Sequence, residues 1–161
     1  DVVVTSGGAS VGDHDLIRPA LAAWGAQLDF WKVAIKPGKP IMVASRGNQL
    51  VVGLPGNPVS SHVTAFLFLL PLLRALLGAA APLPRPIPAI AAEDLPAGGP
   101  RQELLRGYWD GMQVTRQINQ DSGALGSLAA SNALIDRPID AAPVRAGETV
   151  WVYCLESGGL A

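Results

Sequence analysis

Residues 1 to 5, "DVVVT", form a β-branched run that stops at the glycines of "SGG", which predicts a short buried strand. After the polar stretch "SGGASVGDHD", Leu16, Ile17, Ala20, Leu21 and Trp24 recur near helical spacing until Gly25 closes the helix. "QLDFWKVAI", 27 to 35, reads as a second strand. "IMVAS" and "LVVGL" flank "RGNQ", where Gly47 and Asn48 supply turn residues and predict a hairpin. "PGNPVSSHV" then opens a long apolar helix expected to end near Gly78. Its run "VTAFLFLLPLLRALL", interrupted by Pro71 and Arg74, falls short of the ~18 uninterrupted apolar residues of a spanning helix, so it is expected to be a core helix.

Strand, loop, helix, strand, hairpin and helix in that order predict an α/β layer with some parallel pairing. In such layers the loops leaving the carboxyl ends of the strands form the ligand crevice. Here they are "SGGASVGD", "KPGKP" and "LPGNPVS". The proline-rich stretch 79 to 100 reads as a linker into an edge strand, and the remainder as a compact β-rich domain with one small helix. A chain that opens inside a core strand is expected to be a piece of something longer.

Composition narrows the chemistry. The chain has 161 residues, 49% apolar and 16% charged, with net charge −1, a globular balance without the basic footprint of a nucleic-acid binder. Any anion site must therefore be local. One cysteine, Cys154, cannot form an internal disulfide; it fits a reducing compartment and reads as a buried core thiol. With His14 and His62 the only histidines, a Cys/His zinc site is not expected, and Asp13 reads as a helix cap.

The three loops carry the candidate site. Ser6, Gly7, Gly8, Ser10 and Gly12 let backbone N–H groups approach an anion, although the loop matches neither common nucleotide-binding glycine pattern. Asp15 could hold a hard cation beside a phosphate. In "LPGNPVS", Pro55 and Pro58 fix the backbone, Gly56 frees it, and Asn57 and Ser60 offer hydrogen bonds where the long helix starts. Lys32, Lys36 and Lys39 are the chain's only lysines, two of them on the stiff "KPGKP" turn. If the strand is regular, Lys32 and Lys36 share a face. Lysine suits phosphate or another oxyanion as a point charge. Arg101 and Arg106 lie near a predicted strand, and Ser122 and Ser127 in a glycine-marked loop. Alone, these read as surface arginines and a helix cap.

In this order and spacing, "TSGGASVGDHD", "KVAIKPGKP" and "GLPGNPVSS" resemble the molybdopterin molybdenumtransferase family, which includes bacterial MoeA and the E domain of gephyrin. The resemblance covers the whole chain. It implies a MogA-like, three-layer α/β molybdopterin-binding domain over residues 1–80, incomplete at its N-terminus, and a small β-barrel domain over 81–161. The implied reaction inserts molybdate into adenylylated molybdopterin and releases AMP, with Mg2+ assisting at the phosphates. Ser6, Gly7, Gly8, Ser10, Gly12 and Asp15 would then contact pterin phosphate, nucleotide or metal, with Asp15 the metal ligand. Pro55, Gly56, Asn57, Pro58 and Ser60 would shape the opposite wall, Lys32, Lys36 and Lys39 would face phosphate and molybdate, and Arg106 and Ser122 would help hold the oxyanion.

The resemblance also implies a cytoplasmic homodimer, a molybdopterin adenylyltransferase as pathway partner, and neither nucleic acid nor membrane as a partner. The family's N-terminal domains, which complete the active site across the dimer interface, have no counterpart in this sequence, so the chain alone is expected to have little transferase activity. Two other readings share the fold. A MogA-type adenylyltransferase would have the glycine loop without the β domain and the paired proline signatures, and a non-enzymatic scaffold would keep the fold without the chemistry.

Overall fold

The computed structural model describes residues 1–8 and 16–155. Among the described residues ten strands and three helices follow one another, and the first half keeps the order strand, helix, strand, hairpin, helix that the hydrophobic pattern predicts, with one short additional strand before the hairpin. β1 (Val2–Ser6) runs parallel to β5 (Gln49–Leu54), with Val2 opposite Leu50 and Ser6 opposite Leu54. β4 (Met42–Arg46) pairs antiparallel with β5, and Arg46 faces Gln49 across the two-residue Gly47–Asn48 turn. Gly47 takes the left-handed φ of 56° that such a turn demands. β2 (Gln27–Trp31) completes a four-stranded sheet of order β1-β5-β4-β2.

Two helical layers cover this sheet. α1 (Ile17–Trp24) ends at Gly25, whose φ of 78° closes the helix, and turns Ile17, Leu21 and Trp24 toward Val3 and Val51. On the opposite face lies α2 (Pro58–Leu76), which passes through a π-type stretch at Ala65–Leu69. Its Ala65, Phe68, Leu69 and Leu72 pack on Val52, Leu54 and Ile41. The 19-residue helix, with mean hydropathy 1.6, is long and apolar enough to cross a membrane by length and composition alone, a test that a core helix also passes. Its packing is that of a core helix: Val59, Val63 and Phe66 are buried against the second domain.

The predicted second strand does not run through to Ile35. It stops at Trp31 because Lys32 takes a φ of 69°, and the N–H groups of Lys32 and Val33 donate to the carbonyls of Ile41 and Lys39. The backbone thus turns to pair with the far side of "KPGKP", and the shared strand face expected of Lys32 and Lys36 does not exist. The chain re-emerges as β3 (Ile35–Lys36), which joins the other sheet in parallel with β7 (Gln102–Trp109).

That sheet is a closed barrel. β6 (Ile87–Ala91), β7, β8 (Gln113–Arg116), β9 (Ala133–Arg137) and β10 (Thr149–Cys154) pair in the cycle β7-β8-β6-β10-β9, and β9 returns to β7. β6 is therefore an internal barrel strand, although its prolines suggested a linker. Only α3 (Leu125–Ala129) interrupts the strands. Alternate residues Ala89, Ala91, Val114, Ile135, Val150 and Val152 fill the interior. Cys154, at the end of β10, is half-buried rather than fully buried. A further core of Ile35, Val59, Val63, Phe66, Leu104 and Leu134 draws on both domains and welds them at the β3–β7 seam.

Candidate functional site

At that seam opens a cavity of about 420 Å³, lined by Lys36, Pro37, Gly38, Lys39 and Pro40, by Ser60 at the start of α2, and by Arg101, Leu104, Leu105, Gln120, Asp121 and Ser122 of the barrel domain. The proline-framed turn forms one wall because Gly38 lets it settle on the core. At a φ of 113°, a Cβ there would sit 2.5 Å from Thr64 Cγ2 and 3.0 Å from Ile35 Cδ1. Lys39 is exposed and forms no ion pair among the described residues. Lys36 reaches across the seam, its Nζ 2.8 Å from Glu103 Oε1.

The second wall begins where β5 ends. Ser61 Oγ donates to the Pro55 carbonyl, so Ser61 ties the loop and leaves the buried Ser60 to face the cavity. Asn57 starts α2 without a side-chain cap, and its Oδ1 is buried without a hydrogen-bond partner in the described structure. Gly56 lies against Gly7. A Cβ on Gly56 would come within 3.3 Å of Gly7 Cα, and Gly7 N–H donates to Leu54 O at 3.0 Å. The two strand-end loops therefore meet backbone to backbone, as the α/β pattern predicts.

The barrel supplies the third wall through the loop that follows β8. Val59 N–H donates to Ser122 O at 3.3 Å, joining this loop to α2. Arg106 is fully buried beneath it: Nε donates to Ser127 Oγ at 3.1 Å, and Nη2 to the carbonyls of Asn119 and Asp121 at 2.8 and 2.9 Å. Gln120 Oε1 accepts from Arg106 N–H, and its Nε2 donates back to Arg106 O. Burial lowers the guanidinium pKa, which the nearby Asp121 partly offsets.

The expected residues thus divide. Lys36, Lys39, Ser60 and Ser122 line one cavity. Arg106 is not in the lining: its Nε and Nη2 donate to the loop behind, while its Nη1 is buried without a hydrogen-bond partner in the described structure; Arg101, five residues earlier, stands in the lining. Sequence reasoning noticed Arg101 only as a surface arginine, since its position depends on the pairing of β3 with β7. Lys32 also lies outside the lining: its ammonium sits 3.7 Å from the Trp31 ring centroid, and Arg18 stacks on the same ring at 4.0 Å. Ser6, Gly7, Gly8, Pro55, Gly56, Asn57 and Pro58 gather at the adjoining strand ends. Ser10, Gly12, Asp13, His14 and Asp15 lie outside the described residues. Among the described residues no group of three His, Cys, Asp or Glu side chains is placed to hold a metal ion.

Comparison with known proteins places this geometry. The family described as a probable molybdopterin binding domain matches residues 1–75, and the MoeA C-terminal region (domain IV) matches residues 88–155. A molybdopterin molybdenumtransferase of Haemophilus influenzae is 37% identical over 158 residues, which cover 94% of this chain and 39% of that protein. One from Nostoc is 34% identical, covering 96% and 38%. The molybdopterin biosynthesis MoeA protein of Pyrococcus horikoshii superposes with a TM-score of 0.74 at 26% identity, over 94% of this chain and 36% of that one. The chain spans about two fifths of the length of the curated relatives it matches. With two family models matching in tandem, and the α/β layer followed by a closed barrel that they require, the chain belongs to the molybdopterin molybdenumtransferase family.

Proposed function

We propose that the seam cavity holds a tetrahedral oxyanion, molybdate, and that the chain is the part of a molybdenumtransferase that delivers it to adenylylated molybdopterin with release of AMP. The observation that carries this is the convergence of Lys36, Lys39 and Arg101 with the hydroxyl residues Ser60 and Ser122 on one cavity drawn from both domains. A tetrahedral dianion is matched by several cations and neutral donors held in place. Nothing in the lining is an activated nucleophile, so this chain's contribution is placement and charge compensation: the lysines and Arg101 orient the oxyanion and offset its charge, and the prolines fix where the lysines stand.

The strand-end loops at Gly7 and Gly56 would hold the pterin and nucleotide phosphates through backbone N–H groups other than that of Gly7, which is bonded to Leu54 O. Mg2+ would neutralise those phosphates, held by Asp15 as the resemblance implies, in a cytoplasmic homodimer fed by a molybdopterin adenylyltransferase. A MogA-type reading fits the cavity less well, because the barrel provides Arg101, Gln120, Asp121 and Ser122. The test is calorimetric titration of molybdate into the chain, with AMP release from adenylylated molybdopterin measured on the full-length protein. Lys39→Met and Arg101→Met are each expected to weaken molybdate binding about tenfold. Absence of AMP release by the full-length protein would sink the transferase reading, and absence of molybdate binding would sink the assignment of the cavity.

A further inference from the structure

Lys36 is the one lysine of the cavity that already has a partner. Its Nζ lies 2.8 Å from Glu103 Oε1, with 53% of the lysine side chain and 19% of the glutamate side chain exposed. The contact is fixed by register rather than by chance, since Lys36 and Glu103 are direct partners across the parallel β3–β7 pairing, which places neighbouring side chains on one face. Glu103 is not itself in the lining; its carboxylate is tied to the cavity through Lys36, which is. A carboxylate so placed does two things to an incoming anion. It occupies a donor of the ammonium that the anion needs, and a fixed negative charge opposes the anion directly.

From this geometry we propose that Glu103 is an intramolecular competitor for Lys36, an affinity-setting residue of the oxyanion site. This rests on the cavity reading given above. In the empty site the ammonium is shared with Glu103 across the domain seam; a bound dianion draws it inward and leaves a mostly buried carboxylate with a weakened partner. Part of the attraction between Lys36 and the oxyanion is therefore spent on displacing Glu103, and free oxyanion is held more weakly than three converging cations would hold it. Because the ion pair links the α/β layer to the barrel, the occupied site also has a looser tie at the seam than the empty one.

A double-mutant cycle on molybdate binding separates competition from simple repulsion. Glu103→Gln is expected to tighten molybdate binding about tenfold in the native background and at most about twofold beside Lys36→Met. Equivalently, Lys36→Met weakens binding more when Glu103 is already neutral. Glu103→Asp, which keeps the charge but shortens the reach, is expected to tighten binding by a smaller factor, and serves if the glutamine variant folds poorly. In the native chain, the Glu103 side-chain carboxyl carbon signal should move during a molybdate titration with the midpoint seen by calorimetry. Equal tightening with and without Lys36 would mean a field effect alone and would overturn the proposal. Weaker binding in Glu103→Gln would overturn it in the other direction, making Glu103 a support that presents Lys36. If the native chain binds no molybdate by either method, the cavity reading fails first and this proposal falls with it.

Discussion

Gly38 shows how little of a site can rest on its charged residues. The lysines on either side of it meet the cavity only because the turn between them lies flat on Thr64 and Ile35, where no Cβ fits. Gly38→Ala must relieve both the contact and a φ of 113°, and is expected to destabilise the protein by about 2 kcal/mol or more, read as a lower denaturation midpoint, while also weakening oxyanion binding. The two barrel arginines should separate cleanly in the same assays. Arg101→Met should leave stability nearly unchanged and reduce anion affinity. Arg106→Met strands the carbonyls of Asn119 and Asp121 and should cost roughly 2–4 kcal/mol, with the loop carrying Ser122 losing its order. Sequence reading named both arginines but not which of them stands in the cavity lining, because a guanidinium's partners are set by which loop folds over it.

At the scale of elements, α2 joins everything the function needs. Pro58 at its first turn fixes the entry, Ser60 faces the cavity, Phe66 and Val63 bind the barrel, and Phe68 and Leu72 bind the sheet. Its His62 is exposed but partly shielded, and that burial lowers its pKa from 6.5. A lowered folded-state value means that the unfolded chain takes up the proton first. Stability from this group is present above about pH 6.5 and is lost as pH falls below it, by a small amount because the ring still meets water. Thermal melts between pH 7.5 and 5.5 should show this loss shrink in His62→Gln. The helix, the hairpin and α1 were legible from periodicity and turn residues. The break after Trp31 was not, since the left-handed backbone of Lys32 is imposed by pairing with Lys39 and Ile41, which lie beyond a turn.

For the molecule as a whole, the decisive contact is two residues long. β3 inserts Ile35 and Lys36 beside β7, and around it Leu104 and Leu134 of the barrel close a core with Val59, Val63 and Phe66. Leu104→Ala should cost about 3 kcal/mol, and tryptophan fluorescence and far-UV dichroism should still report one shared unfolding transition, because the lost contacts belong to both domains. Two separate transitions in the native chain would contradict a shared core. The sequence alone determined the α/β layer, the β-rich second half, and three glycine- and proline-marked loops with every lysine of the chain on or beside one of them. These follow from local rules: side-chain period, turn chemistry and backbone freedom are properties of neighbouring residues. Only the tertiary structure decided that β6 is a barrel strand, that Lys36 is paired with Glu103, and that Arg101 rather than Arg106 reaches the cavity. Each of those depends on register between segments more than twenty residues apart, and hydrogen-bond register over such a distance leaves no local trace in the chain.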